Sequence, residues 1–179
     1  MYYTTTHPSP AGLITLAGDG TSLVGLWLEG QKYFGQGLPG AAEEKSDLPV
    51  FDAAKRWLDR YFAGEKPAIS ELPLKPAGSV FRQGVWDILC EIPCGEVTTY
   101  GEIAKKMAAK MGKESMSSQA VGGAVGHNPI SIIIPCHRAV GASGSLTGYA
   151  GGIQTKIMLL ELEGADMSNL FAPKPISAP

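Results

Sequence analysis

Positive charge is scarce in this chain. Lysine and arginine number 15 against 17 aspartates and glutamates, for a formal net charge of -2 at pH 7. Such a balance excludes a strongly salt-dependent nucleic-acid clamp built on many phosphate contacts. Residues 78–164 are neutral within themselves: Arg82, Lys105, Lys106, Lys110, Lys113, Arg138 and Lys156 stand against Asp87, Glu91, Glu96, Glu102, Glu114, Glu161 and Glu163. Four of those lysines crowd into residues 105–113, which leaves room for a local basic patch. Long apolar runs are missing too, and none approaches the roughly 18 residues of a membrane span. The opening MYYTTTHPSPAG lacks the basic and apolar regions of a signal peptide, so a cytoplasmic location is expected. Cysteine is sparse. Cys90, Cys94 and Cys136 are an odd number with neither framework nor paired metal-ligand spacing, which predicts reduced thiols and no bound metal.

What is present is an ordinary globule, 44% hydrophobic over 179 residues, enough for one large domain or two small ones. LITLAGDGTSLVGLWLEG is two apolar runs around Gly18-Asp19-Gly20-Thr21, a hairpin signal. PVFDAAKRWLDRYFAGEKP predicts an amphipathic helix with Phe51, Ala54, Leu58 and Tyr61 or Phe62 on one face, ended by Gly64 and Pro67. The segment containing Pro67, Pro73 and Pro76 looks like a connection, so the expected division is residues 1–77, residues 78–165 and a disordered tail, 166–179.

The second part opens with a helix carrying Phe81, Val85, Ile88 and Ile92 on one stripe and ending at Pro93-Cys94-Gly95. EVTTY is a short strand or a lead-in, and Thr99-Tyr100-Gly101-Glu102 fits a capping box opening the next helix. After a polar turn comes QAVGGAVGHNP, a helix of very small residues, which completes a helix-turn-helix plan. Two readings of that thin helix stand. Ala120, Gly122, Gly123, Ala124 and Gly126 let two helices of one protein pack closely, or they let the helix enter a narrow groove without clashes. A glycine-rich loop, GASGSLTGYAGG, leads to a last helix, IQTKIMLLELEGA, stopped by Gly164.

The chemistry concentrates in SIIIPCHRAVG. Ile132, Ile133 and Ile134 are β-branched and read as a buried strand, which Pro135 terminates. Cys136 then falls on the first residue of a rigid turn beside His137 and Arg138. A neighbouring base or cation shifts a thiol toward the reactive thiolate. Sequence adjacency does not ensure contact, and a catalytic imidazole also needs a group behind it to fix its tautomer. The residues alone do not name that group. Cys90 and Cys94 read as structural.

IPCHR, preceded by AVGGAVGHNPISII and followed by GYAGG and LLELEG, resembles the O6-alkylguanine-DNA alkyltransferase family in its bacterial form. The match is collinear from about Phe81 to Gly164. It implies an α/β (α+β) fold: a small ribonuclease-H-like sheet-and-helix domain followed by a winged-helix-like helix-turn-helix domain. It implies stoichiometric transfer of an alkyl group from O6-alkylguanine, with O4-methylthymine as a further candidate, to Cys136. By the same resemblance His137 acts through a water as base, Glu163 holds the imidazole, Asn128 is a hinge and Tyr100 donates to the departing guanine. Ala139, Tyr149, Ala150 and Lys156 would contact the base, and Gln119, Ala120, Gly122 and Arg138 the DNA. Double-stranded DNA carrying the lesion is the implied partner, met by a minor-groove helix that flips the base, a step costing a few kcal/mol. No cofactor, no obligate protein partner and a monomer are expected.

Three positions depart from the family pattern. Gln119 stands where better-studied members carry an arginine that fills the gap left by the flipped base, Ala139 replaces a valine, and Ala150 a serine. Two rival functions meet obstacles. A non-enzymatic lesion sensor of this kind would lack the cysteine that Cys136 supplies. A Cys-His hydrolase would need a catalytic histidine distant in sequence and an oxyanion hole.

Overall fold

Three consecutive β-branched threonines, Thr4 to Thr6, favour extended backbone between Tyr3 and Ser9, a strand that hydrophobic periodicity does not announce. In the computed structural model, which describes residues 1–38 and 40–173, this stretch is β1 (Tyr3–Ser9). It pairs antiparallel with β2 (Gly12–Gly18), which pairs antiparallel with β3 (Leu23–Leu28). The predicted hairpin is present, its turn held by Asp19 Oδ1 accepting from the backbone N–H groups of Thr21 and Ser22. A two-residue strand, β4 (Glu43–Glu44), joins β1 in parallel and completes the order β3-β2-β1-β4. Helix α1 (Pro49–Phe62) covers one face of the sheet, burying Phe51, Ala54, Leu58 and Tyr61 as its periodicity requires.

The second half is helical. Ser79 caps α2 (Val80–Cys90), Thr99 caps α3 (Tyr100–Lys110) and Ser117 caps α4 (Ser118–Gly126), each hydroxyl accepting a backbone N–H three residues on. The buried face of α2 is wider than its predicted stripe: Trp86 and Leu89 join Val85 and Ile88, while Phe81 is only half-buried. Trp86 Nε1 donates to the carbonyl of Ala124 at 2.9 Å and ties α2 to α4. A pair of two-residue strands, β5 (Thr98–Thr99) and β6 (Ala139–Val140), run parallel, and α5 (Ile153–Leu162) closes the fold. One hydrophobic core runs through both halves, from Ile14 and Phe51 to Ile103, Val121 and Leu159.

Two expectations are corrected. Ile132, Ile133 and Ile134 are buried but form no strand. Ile132 adopts φ 71°, and the N–H of Ile133 reaches the carbonyl of Ser131 at 2.8 Å, which is a γ-turn. A second follows at Pro135 (φ -83°, ψ 64°), where the N–H of Cys136 reaches the carbonyl of Ile134 at 2.8 Å. A β-branched residue at positive φ is strained, and the neighbouring packing must hold it there. The tail is also not disordered throughout. Phe171 bridges Ser145, its carbonyl accepting from the Leu146 N–H and its N–H donating to the Gly144 carbonyl, and Met167 and Leu170 pack against buried Leu146 and Leu160. Residues 174–179 lie outside the described residues.

Candidate active site

Asn128, at the end of α4, substitutes for the sheet partner that the isoleucine run lacks. Its Nδ2 donates to the carbonyl of Ile134 at 2.8 Å and to that of Ile130 at 3.4 Å, while its Oδ1 accepts from the N–H of Ile130 at 3.0 Å. One buried amide therefore fixes the double γ-turn that delivers Cys136. Asn128→Ala leaves the buried Ile130 N–H without its acceptor and takes one of two donors from the carbonyls of Ile130 and Ile134, and a loss of about 1–3 kcal/mol is expected in urea unfolding.

Cys136, His137 and Arg138 form a single 3₁₀ turn in which all three side chains are buried. His137 Nε2 lies 2.6 Å from Glu163 Oε2 at the end of α5. A carboxylate only accepts, so Nε2 carries the hydrogen and Nδ1 keeps its lone pair. That Nδ1 is buried without a hydrogen-bond partner among the described residues, as is the hydroxyl of Tyr149, whose ring stands edge-on to the imidazole. Glu163 is a hub. Arg138 Nε donates to its Oε1 at 2.7 Å, and the Tyr61 hydroxyl donates to its Oε2 at 2.5 Å. Arg138 also donates through Nη1 to the carbonyl of Ile92.

The electrostatics follow from this burial. Burial pushes the Cys136 thiol up, against Asn128, the Lys156 charge and backbone N–H groups, so the resting group is a thiol. The lowering that the neighbouring Lys156 charge supplies is outweighed by burial. Burial pulls His137 down more strongly than Glu163 raises it, with Arg138 and Lys156 adding to the lowering, so the imidazole is neutral and can accept a proton. Burial alone would raise Glu163, but the hydrogen bonds from His137 and Arg138, with the Arg138 charge, outweigh it and hold the carboxyl well below its usual range.

The other predicted residues divide. Tyr100, on the first turn of α3, donates to the carbonyl of Thr147 at 3.2 Å, and burial pushes it up to about 12, so it stays a donor. Lys156 is fully buried and donates to the carbonyls of Ala139 (2.6 Å) and Thr147 (3.2 Å); burial brings it down to about 8. It anchors the walls of the site. Arg138, expected on DNA, is instead buried in the hub, because its guanidinium is the counter-ion that Glu163 requires. Gln119 and Ala120 are exposed on α4, apart from the buried cluster.

A cavity of about 290 Å³ opens between α4 and the loop before α5, lined by Gly122, Gly123, Gly126, Tyr149 and Ala150 together with Lys32 and Tyr33. The loop bearing Tyr33 is tied down by the Lys32 N–H to the Ala150 carbonyl, and the Tyr33 ring stacks on His127 at 4.1 Å. A Cβ placed on Gly122, Gly123 or Gly126 would meet no atom within 4 Å. Close helix packing therefore does not explain these glycines; of the small residues, Ala124 is the one buried. Sequence reasoning missed Tyr61 and Tyr33. Tyr61 sits on the core face of α1, where its ring reads as packing, and no local signal links it to Glu163.

Family models of the 6-O-methylguanine DNA methyltransferase ribonuclease-like domain and DNA-binding domain match residues 1–76 and 80–165. A methylated-DNA–protein-cysteine methyltransferase of Haemophilus influenzae is 44% identical over 164 residues, covering 91% of this chain and 86% of the relative. One from Mycobacterium bovis is 46% identical, covering 91% and 93%. Among solved structures, the Mycobacterium tuberculosis OGT in complex with DNA is 43% identical with a TM-score of 0.76, covering 91% and 92%.

Proposed function

This chain belongs to the 6-O-methylguanine DNA methyltransferase family and repairs DNA by moving an alkyl group onto one of its own cysteines, and we propose that Cys136 is the acceptor and the His137–Glu163 pair its proton relay. The observation that carries the assignment is the fixed tautomer: Glu163 commits Nε2–H, which leaves a lone pair on Nδ1 one residue from a buried, protonated thiol.

A bridging water passes the thiol proton to Nδ1. The thiolate attacks the O6-alkyl carbon, the sulfur–carbon bond forms as the carbon–oxygen bond breaks, and the electron pair stays on the purine. The leaving base takes a proton, for which Tyr100 is the nearby donor. Holding the thiol protonated at rest protects a reagent that acts once, since a thioether has no easy route back. Intact mass after incubation with an O6-methylguanine oligonucleotide tests this: one methyl on Cys136 is expected, and an unchanged mass or a methyl elsewhere overturns it.

The open face of α4 is the surface by which the chain meets the minor groove, its glycines clearing space for the duplex while the lesion base is everted into the adjacent cavity. Gly122→Ala and Gly123→Ala should each stabilise the helix by about 0.5–1 kcal/mol, since nothing is in the way, yet weaken duplex binding. Thermal melting and DNA titration of the same variants check both halves. Gln119 is exposed near the start of that helix. Gln119→Arg should tighten duplex binding and steepen its salt dependence by about one phosphate equivalent, read from affinities across a salt series. The chain works as a cytoplasmic monomer without cofactor, divided near residues 77 and 78.

A further inference from the structure

Behind Glu163, on the seam between the halves, lies a second cavity of about 360 Å³. We propose that it binds a small organic anion with a flat apolar body, taking the charge on Arg138 and Lys66 and the ring against Trp57 and Tyr61. Its lining contains two cations, Lys66 and Arg138, and no carboxylate; the remainder is aromatic, aliphatic, proline or thiol. Arg138 spends Nε on Glu163 and Nη1 on Ile92, which leaves Nη2 for a ligand. Lys66 is placed beside the hub, its Nζ 4.0 Å from where a Cβ of Gly95 would stand, and the Gly95 N–H itself faces Glu163 Oε1.

The apolar wall is preformed. Trp57 and Tyr61 lie nearly parallel, 7° apart with centroids at 5.6 Å, and Trp57 Nε1 fastens the segment after Lys66 by donating to the Ala68 carbonyl at 2.9 Å. Cys90 and Cys94 also line the cavity, but burial raises both thiols, Cys90 to about 11. They are therefore poor nucleophiles, and the occupant is held without a covalent bond. Because Tyr61 and Arg138 both bond Glu163, an anion here draws on the groups that orient His137. Occupancy is thus coupled to the relay.

The test uses benzoate and benzamide, matched in shape and differing in charge, titrated into the full-length chain with the Trp57 indole followed by NMR. Benzoate should saturate at one equivalent and bind at least about ten-fold more tightly than benzamide. Lys66→Glu should remove that preference. Equal affinities, or benzoate binding indifferent to Lys66→Glu, overturn the site. Coupling rests on the relay proposed above, and is read with free O6-benzylguanine as substrate, where no DNA salt effect intrudes. Saturating benzoate should change the single-turnover rate at least about two-fold in the native chain and not in Lys66→Glu. Binding without a rate change overturns the coupling. The benzoate affinity of Cys136→Ser should equal that of the native chain, which keeps the binding result separate from any failure of the transfer assignment.

Discussion

Cys136→Ser is expected to retain binding to alkylated DNA and to transfer nothing. The substitution keeps the 3₁₀ turn, the Asn128 clamp and the His137–Glu163 bond, and exchanges a thiol for a hydroxyl that is far harder to ionise. Burial raises even the thiol, so a hydroxyl in the same enclosure has no route to its anion in the neutral range. Mass spectrometry after a day with excess substrate is the measurement, and any alkyl group found on the variant would remove Cys136 from its role. Cys90→Ala and Cys94→Ala should by comparison stay within a few-fold of the native rate.

Glu163→Gln should produce the next largest loss. Arg138 is left buried without a counter-ion, His137 loses the group that fixes its tautomer, and Tyr61 loses a charged acceptor. General-base assistance is typically worth about 10² to 10⁴ in rate, and transfer should fall into that range. Breaking a buried ion pair from one side removes roughly 3–5 kcal/mol of stability. Alkaline pH should restore part of the rate by ionising Cys136 directly, and because burial raises that thiol the recovery belongs above the ordinary thiol range of about 8.5. A rate unresponsive to alkali would remove the relay. The native chain carries the same signature on the acid side. His137 and Glu163 both have folded-state values below their unfolded ones, so the unfolded state binds more protons and stability rises with pH. The His137 contribution is complete above about 6.5 and fades on acidification below it; that of Glu163 is complete above the usual carboxylate range near 4 and fades below that. Urea midpoints across this range should fall in two stages.

Signals confined to a few neighbouring residues were legible in the sequence. The Asp19 turn, the Thr99 cap and the stop at Gly164 each depend on chemistry within about four positions, and each is where the residues place it. Strand β1 was not legible, because threonines on a half-exposed strand of a small sheet give little hydrophobic contrast. The isoleucines before Pro135 misled for the opposite reason. Their apolar run satisfies a strand pattern, while the backbone partners that decide the matter belong to Asn128 and to the γ-turns. Arg138 shows the limit for sites: a basic residue in a DNA-repair motif suggests phosphate, and only the fold reveals that Glu163, 25 residues on, already claims it. Tyr61 is further away still, 102 residues from its partner.

That last distance has a thermodynamic consequence. The chain reads as two modules joined near residue 77, yet the carboxylate that organises the reaction takes a hydrogen bond from helix α1 of the first, and Leu26 of β3 exchanges backbone bonds with Pro129 and Ser131 of the second. Severing the modules would expose a shared apolar core and leave a buried charge short of a donor. The molecule should therefore melt in a single cooperative transition, with calorimetric and van't Hoff enthalpies equal, and the alkyl-accepting half should not persist as a folded unit when expressed alone.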